Sequence, residues 1–210
     1  MKLALDICCG KGGATQAFRT DPDWHVLGID NNPKMRQYWQ EGNVEFIEFD
    51  VTVLDWEELK AILTRKGFEQ VEFLWASPPC TQFSLANPKW PRVGIKKAME
   101  IAGSCFEAVA ILKPKQWLIE NPRGRLRHLA RKPKQTIFYS DYDDSIPVQK
   151  PTDLWGNVQL PMVPHVRRPS KPHGKNDRSC SWDYFRGGIE AAFVPLGVSQ
   201  AVKTATEAQS

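Results

Sequence analysis

Short apolar runs recur along the first 140 residues, and between them apolar side chains return every three or four positions. The runs near 2–8, 24–29, 44–49, 71–76, 115–120 and 135–140 predict strands, and the patterns near 13–20, 33–41, 55–66, 95–112 and 124–132 predict helices. Alternation at this spacing predicts an α/β fold, a doubly wound and mostly parallel sheet covered by helices on both faces. In such sheets ligands bind at the carboxyl ends of the strands. The pattern then changes. Residues 157–188 are irregular and rich in Pro and Gly, and 189–210 carry a last helical stretch expected to return to the main unit, with a frayed tail after Thr204. The organisation expected is a main unit over 1–156, a small irregular insert over 157–188 and a closing helix over 189–210, with no internal repeat.

Reactive residues stand at the predicted strand ends. The fourth run enters Ser77-Pro78-Pro79-Cys80-Thr81-Gln82-Phe83-Ser84, and the fifth enters Ile119-Glu120-Asn121-Pro122. Two successive prolines fix φ and remove two N–H donors, so the chain leaves the sheet and Cys80 sits on a stiff turn. A thiol on a polar loop can ionise, and a nearby carboxylic acid can pass on a proton. Such a pair suits attack on a pyrimidine. Carbon 5 of cytosine becomes nucleophilic only after a thiolate adds to carbon 6, while an acid meets the charge that develops at N3. Taken singly, each reads first as something plainer: Cys80 as a small buried hydrophobe, Pro78-Pro79 as a loop and Glu120 as a surface carboxylate.

The first run enters Asp6-Ile7-Cys8-Cys9-Gly10-Lys11-Gly12-Gly13, a glycine-rich turn whose backbone can approach a ligand closely. It is neither the full dinucleotide fingerprint nor a phosphate loop. The second run ends in Asp30, suited to ribose hydroxyls, and the third in Asp50, suited to an adenine amino group. The loop 81–94, with Asn87-Pro88-Lys89-Trp90-Pro91-Arg92, either closes over an extruded base or lies on the surface.

At 210 residues the chain has room for one domain and a sizeable core. Its net charge of +4 is unevenly spread. Residues 113–188 hold 15 Lys/Arg against 7 Asp/Glu, a net of +8, and the remainder holds 13 against 17, a net of −4. The basic half is the expected polyanion face. Within it Arg167, Arg168, Lys171, Lys175, Arg178 and Arg186 interleave with Trp182, Tyr184 and Phe185. Cations among aromatics suit phosphate contact and base stacking; a solvated loop pinned by its aromatics is the alternative. The 5 cysteines lack metal-ligand spacing and the 4 histidines form no cluster, which predicts reduced thiols and no metal. No stretch approaches the apolar length needed to span a bilayer, and the N-terminus lacks a signal-peptide pattern, so a cytoplasmic protein is expected.

The succession of Asp6-Ile7-Cys8-Cys9-Gly10-Lys11-Gly12-Gly13, Pro78-Pro79-Cys80 and Glu120-Asn121-Pro122 resembles the C5-cytosine DNA methyltransferase family over roughly the first 155 residues. Amino-group methyltransferases, similar in fold, carry a Pro-Pro-aromatic turn, and Cys80 stands in place of that aromatic. The resemblance implies a Rossmann-like methyltransferase fold with 1–156 as the catalytic domain, S-adenosylmethionine as cofactor and double-stranded DNA as partner. It implies Cys80 as nucleophile and Glu120 as the N3 acid. It places Asp6, Cys8, Gly10, Gly12, Gly13, Asp30, Asn31, Asp50, Val51 and Pro78 about the cofactor, and Ser84, Asn121, Arg123, Arg125, Lys150, Arg167 and Arg168 toward the substrate.

Some positions depart from the family pattern. Pro122 stands where the family usually has valine. The family's later Gln-x-Arg-x-Arg strand has its nearest match in Pro147-Val148-Gln149-Lys150-Pro151-Thr152, so Lys150, Arg123 or Arg125 is expected to replace the arginine that braces the glutamate. The family's C-terminal motif is faintly echoed by Val194–Val202. There is little room for a large target-recognition domain, so 157–188 is the candidate recognition segment, with specificity short, loose or supplied by a protein partner. A monomer in a bacterial, archaeal or viral setting is expected, restriction-modification being one role. Two rivals stay open: the same chemistry on RNA or a free cytosine nucleotide, and a nucleic-acid binder without turnover.

Overall fold

The computed structural model describes residues 1–84, 94–146, 149–165 and 193–209. The strands are β1 (Lys2–Ile7), β2 (Trp24–Asp30), β3 (Val44–Glu48), β4 (Phe73–Ala76), β5 (Gln116–Pro122), β6 (Gln135–Phe138) and β7 (Pro151–Gly156). They form one sheet in the order β3-β2-β1-β4-β5-β7-β6. The pairings of β3 with β2, β2 with β1, β1 with β4 and β4 with β5 are all parallel. Strand β7 runs antiparallel to both β5 and β6. The chain moves outward from β1 through β2 to β3, then restarts on the other side of β1 with β4 and β5. The carboxyl ends of β1 and β4 therefore flank the point where the winding reverses, the place a doubly wound sheet offers a ligand.

The helices are α1 (Gln16–Arg19), α2 (Trp56–Arg65), α3 (Ile95–Leu112), α4 (Leu126–Leu129), α5 (Tyr139–Tyr142) and α6 (Leu196–Ala208). The expected helix at 33–41 is a 3-10 turn over Pro33–Tyr38, whose first turn Asn32 caps by accepting from the Lys34 amide at 3.1 Å. Asp55 likewise caps α2, accepting from the amides of Glu57 and Glu58 at 3.0 Å each. Helix α6 runs on through the stretch after Thr204 where fraying was expected. Ser199 pins it to α1, donating to the Ala14 carbonyl at 2.7 Å and accepting from the Ala17 amide at 3.0 Å. Among the described residues no helix is long and apolar enough to cross a membrane.

Apolar side chains fill both faces of the sheet. Along β1, Leu3, Leu5 and Ile7 join the layer under α2 and α3, while Ala4 joins the opposite layer under α1 and α6. That opposite layer is aromatic: Phe18 meets Trp24 edge-on at 4.8 Å and stacks on Phe73 at 5.0 Å. Some buried polar groups are joined across elements: Trp56 Nε1 donates to Ser104 Oγ at 3.1 Å, and Ser104 donates to the Val51 carbonyl at 2.6 Å.

Strand β7 is not anticipated by the sequence pattern, and the reason is local. It opens on Pro151, tolerated at a first strand position, and carries a fully buried Asp153. Asp153 is held by Arg127 through Nε at 2.9 Å and through Nη2, and by the Thr136 hydroxyl at 2.7 Å. An acidic residue in a buried strand is affordable only with such partners, and none is visible from β7 alone.

Candidate active site

The Cys80 loop leaves β4 and the Glu120 segment ends β5, and these strands are hydrogen-bonded neighbours in which Ala76 pairs with Ile119. Register alone thus brings the two motifs to adjacent positions on one sheet edge. The turn closes on itself, the Cys80 carbonyl accepting from the amides of Phe83 and Ser84 at 2.9 Å each. Three bonds then fasten it to the β5 side. Asn121 Nδ2 donates to the Pro78 carbonyl at 2.8 Å, and the Arg125 amide and guanidinium donate to the carbonyls of Phe83 and Ser84, each at 2.8 Å. Asn121 is fully buried, so its amide sits between the two motif loops. A nucleophile held this way keeps its orientation.

Burial and charge tune the pair. Cys80 is partly buried, and burial together with the Glu120 carboxylate pushes its thiol up, while the Lys150 ammonium pulls it down. Glu120 is 5 % exposed. Burial raises it above the usual carboxylate range; Lys150 and the hydroxyls of Tyr139 and Ser77 oppose this, and Asp153 adds to it. Its Oε1 is buried without a hydrogen-bond partner among the described residues. Lys150 stands 5.0 Å over the Tyr139 ring, so a single cation acts on both Cys80 and Glu120. Arg125 is tied to the Cys80 loop and Arg123 is exposed.

The glycine turn borders a cavity of about 240 Å³ lined by Asp6, Cys8, Cys9, Gly10, Lys11, Gly13, Ala14, Asp30, Asn32, Met35, Ser77, Phe193 and Val194. Asp30 shapes it: Oδ2 accepts from the Gly10 amide and Oδ1 from the Asn32 amide, both at 2.9 Å. Trp39 fixes the turn from below, donating to the Gly10 carbonyl at 3.0 Å, and its ring fills the space at Gly28, where a Cβ would meet it at 2.6 Å. Gly13 faces the C-terminal segment, and a Cβ there would meet the Val194 carbonyl oxygen at 2.5 Å. Cys8 takes φ of +55°, a left-handed conformation costing about 1–2 kcal/mol outside glycine. Asp6 is 1 % exposed, accepts from the Thr15 hydroxyl at 2.7 Å, and is raised by burial to about 8.

Of the residues expected about the cofactor, Asp6, Cys8, Gly10, Gly13 and Asp30 line this cavity, whereas Gly12, Asn31, Asp50, Val51 and Pro78 fall outside its lining. The neighbours Asn32 and Ser77 line it in place of Asn31 and Pro78. Asp50 is occupied elsewhere: it accepts from the Thr52 amide and hydroxyl at 3.0 and 2.7 Å and pairs with Lys97 at 3.0 Å, bonds that hold it down to about 2. Phe193 and Val194 were missed because they arrive from the far end of the chain. Ser77 and Tyr139 were missed because each becomes a neighbour of Glu120 only through sheet pairing. Arg167, Arg168 and most of the recognition segment lie outside the described residues, as do residues 85–93 of the loop after Cys80.

A doubly wound sheet with a cysteine and a buried glutamate on adjacent strand ends, beside a cavity lined by Asp6 and Asp30, matches the Rossmann-like methyltransferase fold. The model of the C-5 cytosine-specific DNA methylase family matches residues 3–140, and the chain belongs to that family. It is 28 % identical over 150 residues to a Frog virus 3 (isolate Goorha) protein named "Probable DNA (cytosine-5)-methyltransferase", covering 63 % of this chain and 68 % of the viral one. It is 31 % identical over 93 residues to the Type II methylase M.HgiDII of Herpetosiphon aurantiacus, covering 44 % of this chain and 25 % of that one. A solved structure, described as a DNA modification methyltransferase encoded within an E. coli prophage, shares the fold with a TM-score of 0.54 at 16 % identity. That match covers 80 % of this chain and 52 % of the prophage protein, so the chain spans about half the length of that structure.

Proposed function

We propose that this protein methylates carbon 5 of cytosine in duplex DNA, with Cys80 as nucleophile and Glu120 as acid. The observation that carries the reading is the pair itself: a thiol and a carboxyl group on adjacent strand ends, sharing the Lys150 charge, with a buried Glu120 oxygen left without a partner. A buried oxygen left so supports Glu120 as the partner of the ring N3.

The target cytosine must leave the helical stack to reach a thiol seated in a loop. The Glu120 carboxylate opposes ionisation of Cys80, and burial favours a neutral Glu120, so their productive state is a thiolate beside a neutral carboxylic acid. The Cys80 sulfur bonds to C6, and electron density moves through the ring toward N3. Glu120 gives its proton to N3, which leaves C5 nucleophilic and Glu120 anionic, paired with Lys150. S-adenosylmethionine, when bound, supplies the electrophilic methyl carbon that C5 takes. Loss of the C5 proton to a base then restores the ring double bond, expelling the Cys80 thiolate, and N3 returns its proton to Glu120.

The cavity residues fit such a cofactor. Asp6 and Asp30 offer carboxylates to a cationic ligand with ribose hydroxyls, Gly10 and Gly13 admit it closely, and Met35, Phe193 and Val194 supply apolar walls. Asp50 would join only by sharing its Lys97 and Thr52 bonds with the ligand. The adduct tests the scheme. Duplex DNA with 5-fluorocytosine at the target lacks the departing C5 proton, so the protein should stay covalently joined to it, and peptide mass spectrometry should find the bond on Cys80. An adduct elsewhere, or none while 5-methylcytosine is made on ordinary DNA, would remove Cys80 from the mechanism.

A further inference from the structure

Between Glu120 and Asp141 the chain carries Arg123, Arg125, Arg127, Arg131, Lys132 and Lys134 and no acidic residue. This segment leaves the carboxyl end of β5 and is fastened to the Cys80 loop by the Arg125 bonds and by a bridge between Ser84 and Gly124. Three of its cations have structural employment: Arg127 on Asp153, Arg125 on the Ser84 carbonyl, and Lys134 on the Asn157 carbonyl at 3.1 Å. Arg123, Arg131 and Lys132 are exposed and make no ion pair among the described residues.

Elsewhere among the described residues several cations stand opposite carboxylates. Lys66 pairs with Glu45, Lys97 with Asp50, Lys115 with Glu72, and Lys203 with Asp21 and Glu207. A solvated face usually mixes signs in this way. A one-sign ledge rooted beside the nucleophile instead creates a positive field at the reactive edge of the sheet. Arginine is the better of the two cations for phosphate, because its planar fork can bind two oxygens at once.

We propose that the ledge of residues 123–134 is the docking surface for the sugar-phosphate backbone of duplex DNA beside the target cytosine. The identity of the polyanion rests on the function proposed above. Because the ledge and the Cys80 loop are hydrogen-bonded to each other, a backbone seated on it shares a rigid frame with the thiol. Contacts of this kind fix register and carry no sequence information. They therefore leave base reading to other parts of the protein or to a partner.

The test is the salt dependence of duplex binding, read by fluorescence anisotropy. Arg131→Gln/Lys132→Gln should lower the slope of log affinity against log salt by about 2, and Arg123→Gln by about 1, with the same loss on every DNA sequence tried. Lys60→Gln/Lys113→Gln removes equal charge near the opposite end of the sheet, where Lys60 reaches the Ile111 carbonyl at 3.2 Å, and should leave the slope unchanged. Melting temperatures equal to that of the parent protein establish that each variant is folded. An unchanged slope in both ledge variants, a loss confined to one sequence, or an equal loss in the control would overturn the proposal. Since binding is read without methylation, a ledge effect in a protein that makes no methylcytosine would refute the proposed function and leave the ledge standing.

Discussion

At the scale of single residues, Lys150 carries the most specific expectation. The family's bracing arginine is absent, and the sequence leaves three cations to replace it. Strand β7 brings Lys150 over Tyr139 and within electrostatic reach of both Cys80 and Glu120, which supports Lys150 as the replacement. Lys150→Met removes the charge that lowers both groups, so the pH–rate profile of methylation should move to higher pH, and Lys150→Arg should restore it. A profile that stays in place in the methionine variant would deny Lys150 this role. Glu120→Gln keeps the shape but lacks the proton, and adduct formation should slow by roughly 10²–10⁴-fold. A rate within a few-fold of the parent protein would exclude Glu120 as the acid.

Asp6 makes a second prediction at this scale. Its carboxyl is raised from an ordinary 3.8 to about 8, so the folded protein favours the protonated form. The stability this confers is complete below the unfolded value and is lost as pH rises through about 8. Asp6→Asn should therefore flatten the fall in melting temperature between mildly acidic and mildly alkaline pH, while its amide oxygen can still accept from Thr15. A cationic ligand beside Asp6 favours the ionised form, so S-adenosylmethionine should bind more tightly as pH rises toward 8, which calorimetry across pH would read. A melting-temperature profile unchanged by the substitution would contradict the burial argument.

At the scale of elements, the sequence revealed what local periodicity can encode and hid what depends on pairing. Strands β1 to β5 and helices α2 and α3 follow from apolar runs and the three-to-four-residue return of apolar side chains, which need only near neighbours to read. Strand β7 was hidden because its buried Asp153 depends on Arg127 and Thr136, from separate elements. Helices α1 and α4 come out shorter than expected: Gly12 and Gly13 delay the first, and the second ends before Pro133. The site divides the same way. Cys80, Glu120 and the glycine turn announce themselves by motif, whereas Ser77, Tyr139, Phe193 and Val194 join only when distant segments meet. Asn121 is the joint between the two motif loops, and its role belongs to this scale. Asn121→Ala removes the bond to the Pro78 carbonyl, which should cost about 1–3 kcal/mol of stability and loosen the Cys80 loop. Adduct formation should slow while S-adenosylmethionine affinity is kept. Equal loss of both would show that the whole fold, and not the loop, had been disturbed.

At the scale of the molecule, one sheet serves two tasks at the point where its winding reverses. The end of β1 presents the carboxylate-lined cavity and the end of β4 presents Cys80, with Ser77 lining the cavity and also acting on Glu120. Cys80, Glu120 and most of the cavity lining fall within the family-matched region, 3–140, and are joined by Lys150 and the C-terminal segment that walls the cavity. The most direct measurement of the whole account is nucleoside mass spectrometry of cytosine-containing duplex DNA incubated with the protein and S-adenosylmethionine, beside a parallel incubation with Cys80→Ala. The account predicts 5-methyldeoxycytidine with the parent protein and none with the variant; no product from the parent, or product from the variant, would contradict it.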